Sequence, residues 1–178
     1  MSEVLSRLQE RCFVTGAGGF VGRRLVEAIG SGGVSDRRLD VCKDEGWRDA
    51  LVDHDIVIHC AGVASSRGRA ASEVEAVNVG GTVRVASFAR EAGVRRFLFL
   101  SSVKVFGEFT EPGAVFSDES PLRPTSPYGE SKARAEEELK QLHEPGAFEI
   151  VVLRPTVVVG PGLKGAVATM HRLSLIHI

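Results

Sequence analysis

The chain has one tyrosine and one tryptophan in 178 residues. Its three cysteines, Cys12, Cys42 and Cys60, show no C-x-x-C or Cys/His ligand spacing, which argues against a zinc or other metal site. An odd number of cysteines without a framework fits a reducing compartment. No sign of charge dominates: 22 Lys and Arg stand against 23 Asp and Glu, a net charge of −1. That leaves no basic field for nucleic acid and no polybasic arm for a membrane. Long apolar runs are missing too, because Arg154 and Pro155 interrupt the best one. The opening M-S-E-V-L-S-R-L-Q-E is too charged for a signal peptide. A cytoplasmic location is the expectation that remains. The 43% of hydrophobic residues suffices for one soluble domain with its own core.

Four short, near-continuous apolar runs read as strands covered on both faces: 11–15, 55–60, 96–101 and 148–154. Helical patterns lie between them. One covers 19–29. A second, 72–92, opens with Ser72 and Glu75 as a capping box and stops before Gly93. A third, 126–142, has Ser126 as N-cap and Pro127 at its first position. Strands alternating with helices predict an α/β fold with a doubly wound parallel sheet. The stretch 104–125 reads as a long loop, a frequent place for function.

The first strand runs into T-G-A-G-G-F-V-G, residues 15–22. Gly16, Gly19 and Gly22 let backbone approach a pyrophosphate, and the helix that follows supplies N–H donors and a positive dipole end. The next two strands end in Ala61-Gly62 and Ser101-Ser102, and ligands of doubly wound sheets sit beyond such ends. Tyr128 and Lys132 are four residues apart on one helix, so they share a face. If that face lies over the strand ends, a hydroxyl, a phenol and an ammonium converge. His59 and Cys60 read as packed core, and Glu136–Glu138 as a solvated helix face. Gly80-Gly81 inside a helix costs about 1 kcal/mol each, which close packing or a helix break would explain.

Taken in order, T-G-A-G-G-F-V-G, D-I-V-I-H-C-A-G, N-V-G-G-T, S-S-V-K-V-F-G-E, S-P-Y-G-E-S-K and R-P-T-V-V-V-G-P-G make the chain resemble the extended short-chain dehydrogenases/reductases. Within them it resembles the NAD-dependent epimerases and dehydratases of nucleotide sugars, with a UDP-glucose 4-epimerase-like motif at 101–108. The resemblance implies a Rossmann domain over 11–160 after an extension at 1–10, NAD (NADP being the alternative) as cofactor, a nucleotide-sugar substrate and a homodimer. It implies that Gly16, Gly19, Phe20, Val21 and Gly22 cradle the pyrophosphate. Ala61 and Gly62 would pass close to the cofactor, Asn78 would hold its helix against the central strands, and Pro155 and Thr156 would lie near the nicotinamide. Ser102 would bond the substrate oxygen, with Ser101 nearer the cofactor and Lys104 within reach of the substrate. Tyr128 would be the acid/base, with Lys132 binding the nicotinamide ribose. Bringing a tyrosine from about 10 to near 7 needs roughly 4 kcal/mol of preference for phenolate. A cation at ~4 Å and an effective dielectric of ~20 supplies about that much before desolvation, so Lys132 plus the positive ring of oxidised NAD suffices. The resemblance also admits an NADP-dependent carbonyl reductase and a dinucleotide-binding protein without turnover.

Two departures qualify the resemblance. Only residues 30–41 separate the first helix from the next helix-like stretch, K-D-E-G-W-R-D-A-L. Asp40 is then either the acid at the end of the second strand, which binds the adenosine ribose, or the acid of the next strand's D-V motif, Asp40-Val41, which contacts adenine. The second reading implies a shortened or deleted second strand. At the other end, 161–178 reads as the start of a substrate lobe, most of which is missing, with S-L-I-H-I as a tail outside the fold. A fragment of this kind is expected to bind a dinucleotide weakly or not at all, and to turn over slowly or not at all.

Overall fold

The computed structural model describes residues 11–30, 34–35, 39–64 and 68–161. The proposed extension at 1–10, the residues of 162–178 and Arg37 and Arg38 lie outside them. Five parallel strands form one sheet: β1 (Cys12–Thr15), β2 (Val34–Ser35), β3 (Ile56–His59), β4 (Arg96–Leu100) and β5 (Glu149–Leu153). Their order is β2-β1-β3-β4-β5. Each of the four longer strands falls inside one of the apolar runs. The helical elements are α1 (Phe20–Ile29), α2 (Trp47–Leu51), α3 (Ala71–Glu75), a π-helical turn (Ala76–Gly81), α4 (Thr82–Glu91), a 3-10 turn (Val103–Val105) and α5 (Pro127–Leu142).

The order reverses at β1, which has β2 on one side and β3 on the other. This is the switch point of a doubly wound sheet, where a crevice opens beyond the carboxyl ends of the strands. Against the 3-2-1-4-5-6 order of a complete dinucleotide-binding sheet, the second strand is present but only two residues long. The strand absent among the described residues is the third. So the short 30–41 segment keeps a second strand, and the edge strand beyond it is what the described chain lacks.

Side chains of β1 alternate between two cores. Phe13 packs with Trp47 and Leu51 of α2, Val85 of α4, Leu139 of α5 and Phe97 of β4. Cys12 and Val14 point the other way, to Ile29, Leu25 and Val26 of α1. A strand covered twice needs an unbroken apolar run, which is why the polar/apolar alternation is missing. The same expectation fails for β4 and β5 among the described residues. Leu98, Leu100 and Val151 are half-buried, and Leu153 is 44% exposed.

The stretch read as one helix over 72–92 is three elements. It starts at Ala71 after Ala70, with no side-chain cap. Ser72 already lies inside the helix, so the Ser72/Glu75 capping box does not form. The π-helical turn then absorbs Gly80-Gly81. A Cβ on Gly81 would lie 2.7 Å from Val41 Cγ2, whereas one on Gly80 meets nothing within 4 Å. Close packing is therefore the reason for Gly81 alone. α5 starts as expected: the Ser126 hydroxyl accepts from Gly129 N at 3.3 Å, and Pro127 opens the helix.

Candidate active site

β1 leaves the sheet through Gly16, whose φ of +67° favours glycine and where a Cβ would sit 2.6 Å from Ala61 N. Gly19 N donates to Gly16 O at 2.8 Å and is the N-cap of α1. A Cβ on Gly22 would collide with the Gly16 carbonyl oxygen. The turn thus closes only with glycines, and it leaves the start of α1 without a capping side chain or an acidic residue. Its opening N–H groups and positive dipole end suit a phosphate.

Two cavities meet over the switch point. One, about 680 Å³, lies between the glycine turn and Leu39, Val41, Ala61 and Val77. The other, about 370 Å³, brings Phe20, Val21 and Gly22 together with Ser101, Ser102, Tyr128, Lys132, Pro155 and Thr156. They share Gly19, Gly62 and Val63, so one extended ligand spans both. Asp40 lines neither. β2 ends at Ser35, well before it, and its Oδ1 accepts from Cys42 N at 2.9 Å in an exposed turn. Val41 does face the first cavity. Of the D-V pair, then, Val41 lines the cavity and Asp40 does not.

In the second cavity Lys132 is only 5% exposed. Its Nζ donates to Leu100 O at 2.9 Å and sits 4.5 Å above the Phe99 ring. Burial pulls its pKa down to about 8, against the opposing pull of Cys60 and Glu136. A Cβ on Gly62 would come within 3.5 Å of that Nζ. Tyr128 is half-buried, and its pKa goes up rather than down: burial raises it, and a hydrogen bond with Ser102 only partly opposes this. The protein's own groups therefore keep the phenol protonated at neutral pH; the expected lowering needs the positive ring of oxidised NAD as well as Lys132. That ammonium is committed to Leu100 O and the Phe99 face. Lys104, expected within reach of a substrate, is paired with Glu108 at 3.0 Å.

These features coincide with what the chain is similar to. It matches the NAD dependent epimerase/dehydratase family over residues 12–176. The chain belongs to that family. It is 35% identical to a UDP-glucose 4-epimerase of Vibrio cholerae, over 94% of this chain and 57% of that protein. Among solved structures it is similar to RMD from Pseudomonas aeruginosa complexed with NADPH, with a TM-score of 0.78 and 29% identity over 87% of this chain and 56% of that one. It is also similar to MoeE5 in complex with UDP-glucose and NAD, with a TM-score of 0.76 and 29% identity over 86% and 56%. The chain thus spans little more than half the length of these relatives.

Buried polar groups hold this family member's site from behind. Asn78, fully buried, accepts from Val63 N at 2.8 Å and donates to Val63 O at 3.1 Å and Ser131 Oγ at 2.9 Å. Ser131 in turn donates to Tyr128 O at 2.8 Å. The loop after β3 is therefore tied to α5 through one asparagine, and Ser131 is the partner that the sequence reading missed. His59 is fully buried between Thr15 Oγ1 at 2.9 Å and Thr82 Oγ1 at 3.1 Å, and Thr15 also accepts from Ala61 N. It is a core histidine, as read, and burial pushes its pKa down to about 3. Cys60 is half-buried, and burial pushes its thiol up to about 11. Glu136 is not on a solvated face: it is 6% exposed and paired with Arg154 at 2.7 Å. Glu137 and Glu138 are exposed, as expected. Spacing held the signal for Glu136, four residues beyond Lys132 and eight beyond Tyr128 on the same buried face.

Proposed function

We propose that the chain carries the cofactor site and the acid/base group of an NAD-dependent nucleotide-sugar epimerase of the UDP-sugar 4-epimerase type, working in the cytoplasm. The single observation that carries this reading is the second cavity, where Ser102, Tyr128 and Lys132 meet the start of α1 and Pro155-Thr156. The glycine turn, whose backbone closes so tightly that a Cβ at Gly16 or Gly22 would collide with it, fits a dinucleotide pyrophosphate. Gly16, Gly19, Phe20, Val21 and Gly22 would hold it, with Val41 and Ala61 along the adenosine side. NAD, when bound, supplies the two-electron acceptor for a sugar carbinol.

The chain's own residues do the rest. Ser102 orients the sugar oxygen, and Tyr128 takes its proton and later returns it. Lys132 holds positive charge beneath the developing phenolate in a site where burial makes that charge count. The Tyr128 base form gains population as pH rises, while Lys132 loses its charge around pH 8, so turnover rises from neutrality towards about pH 8 and then levels off. The remaining contacts to the sugar nucleotide are proposed to come from sequence matching the uncovered part of the relatives, within a homodimer.

The test is to mix the full-length protein with NAD or NADP and UDP-glucose, and to follow nicotinamide reduction and sugar inversion. Inversion with NAD, lost at least about 100-fold in Tyr128→Phe, supports the reading. Net reduction of a carbonyl with NADPH and no inversion favours a reductase instead, a reading that rests on the NADPH-bound relative.

A further inference from the structure

We propose that Glu136 is a positioning residue of this site, clamping the ends of β4 and β5 so that Ser102 and Pro155 close on Tyr128 and Lys132. The proposal rests on reading Ser102, Tyr128 and Lys132 as the reacting groups. Both carboxylate oxygens of Glu136 are used. Oε1 accepts from the Ser101 hydroxyl and from Arg154 Nε at 3.1 Å, and Oε2 accepts from Arg154 Nη2 at 2.7 Å. Ser101 is the residue after β4 and Arg154 the residue after β5, while Glu136 sits on α5 one turn beyond Lys132. One carboxylate therefore joins three elements directly behind the cavity.

The strand ends it joins also meet each other. Ser101 N donates to Leu153 O at 2.8 Å, and Val103 N donates to Pro155 O at 3.0 Å. Ser102 lies between those two amides, so its position follows from theirs. Arg154 is oriented further by the Phe106 ring, 4.9 Å from its Cζ, and by Asp118 O, to which Nη1 donates at 3.4 Å. That brings the loop after β4 onto the same clamp. A buried ion pair contributes little net stability, because desolvating two charges offsets their attraction. Its effect is directional: a planar guanidinium meets a carboxylate in a fixed fork. Glu136 also reaches Lys132 electrostatically, favouring its ammonium.

The test compares the wild-type 178-residue chain with Glu136→Gln and with the paired variant Glu136→Leu/Arg154→Met. The second removes both charges and keeps apolar bulk, so it folds even if the single variant does not. Amide hydrogen exchange is read at Ser101 and Val103 and, as a reference, at Phe97 and Phe99. Lys132 titration is followed by the pH dependence of its chemical labelling. The proposal expects exchange at Ser101 and Val103 to rise about tenfold or more in the paired variant while Phe97 and Phe99 stay unchanged. It also expects Lys132 to titrate at lower pH once the Glu136 charge is gone. An equal rise at all four amides, or no rise at Ser101 and Val103, overturns it, as does an unmoved Lys132 titration. Neither readout needs a dinucleotide. Failure of the functional reading shows separately, as absence of saturable dinucleotide binding.

Discussion

His59 and Lys132 are both ionisable groups held in the interior, and each leaves a signature in the pH dependence of stability. The folded chain keeps His59 neutral down to about pH 3, whereas the unfolded chain takes up a proton near 6.5. Unfolded protein therefore binds more protons between those values, and stability falls as pH falls through that window. The expected loss is on the order of 4 kcal/mol at its acid end. Urea unfolding from pH 7 to pH 3 should show it, and His59→Gln should flatten that part of the profile. Lys132 acts in the alkaline range. Its folded pKa of about 8 lies below the ordinary 10.5, so the unfolded chain again holds more protons in between, and stability rises with pH across that window. Lys132→Met should be more stable than wild type at neutral pH by on the order of 2 kcal/mol, allowing for the lost bond to Leu100 O. That advantage should shrink towards pH 10.5, and an advantage that stays constant would show that the buried charge is not its source.

Residue by residue, the sequence was most legible where a motif needs a particular side chain. Gly16, Gly22, Tyr128 and Lys132 all line the cavities in which their motifs imply them. It was least legible where a polar residue serves another polar residue. Nothing local marks Ser131 as the partner of Asn78, because that contact depends on how α5 crosses the π-helical turn. Glu136 was misread because a run of three glutamates looks solvated unless helical spacing is followed through it. Asp40 stayed ambiguous because its meaning depends on which strand precedes it, and β2 is too short to announce itself.

At the scale of elements, the apolar runs located every strand longer than two residues among the described residues, although only β1 shows a core on each face while β4 and β5 leave one face half-exposed. The helix break could not be read in the same way. Gly80 and Gly81 look alike in sequence, yet only Gly81 passes over Val41. Substitution should separate them. Gly80→Ala has open space and is expected to be neutral or stabilising by up to about 1 kcal/mol. Gly81→Ala must displace Val41, a wall of the adenosine-side cavity, and is expected to lower both the melting temperature and dinucleotide affinity. Thermal melts of the two variants check this, and equal effects would show that the π-helical turn is not fixed by the Val41 contact.

For the whole molecule, the described residues form one sheet with the crevice at its switch point, and they lack the third strand that usually flanks β2. Beside the glycine turn the cavity is lined by Val41, Leu39 and Trp47, with no acid from a strand end. Affinity for the dinucleotide should be lower than that of relatives with a complete sheet, and discrimination between NAD and NADP should be weak. A chain spanning little more than half the length of its relatives should also show little turnover by itself, even with Tyr128 and Lys132 in place. The most direct measurement is calorimetric titration of the 178-residue chain with NAD and NADP, beside Gly22→Ala as the variant whose Cβ forces the Gly16 carbonyl out of the turn. One saturable site, abolished in Gly22→Ala, is the predicted result; no saturable binding, or binding unchanged in Gly22→Ala, would contradict the account.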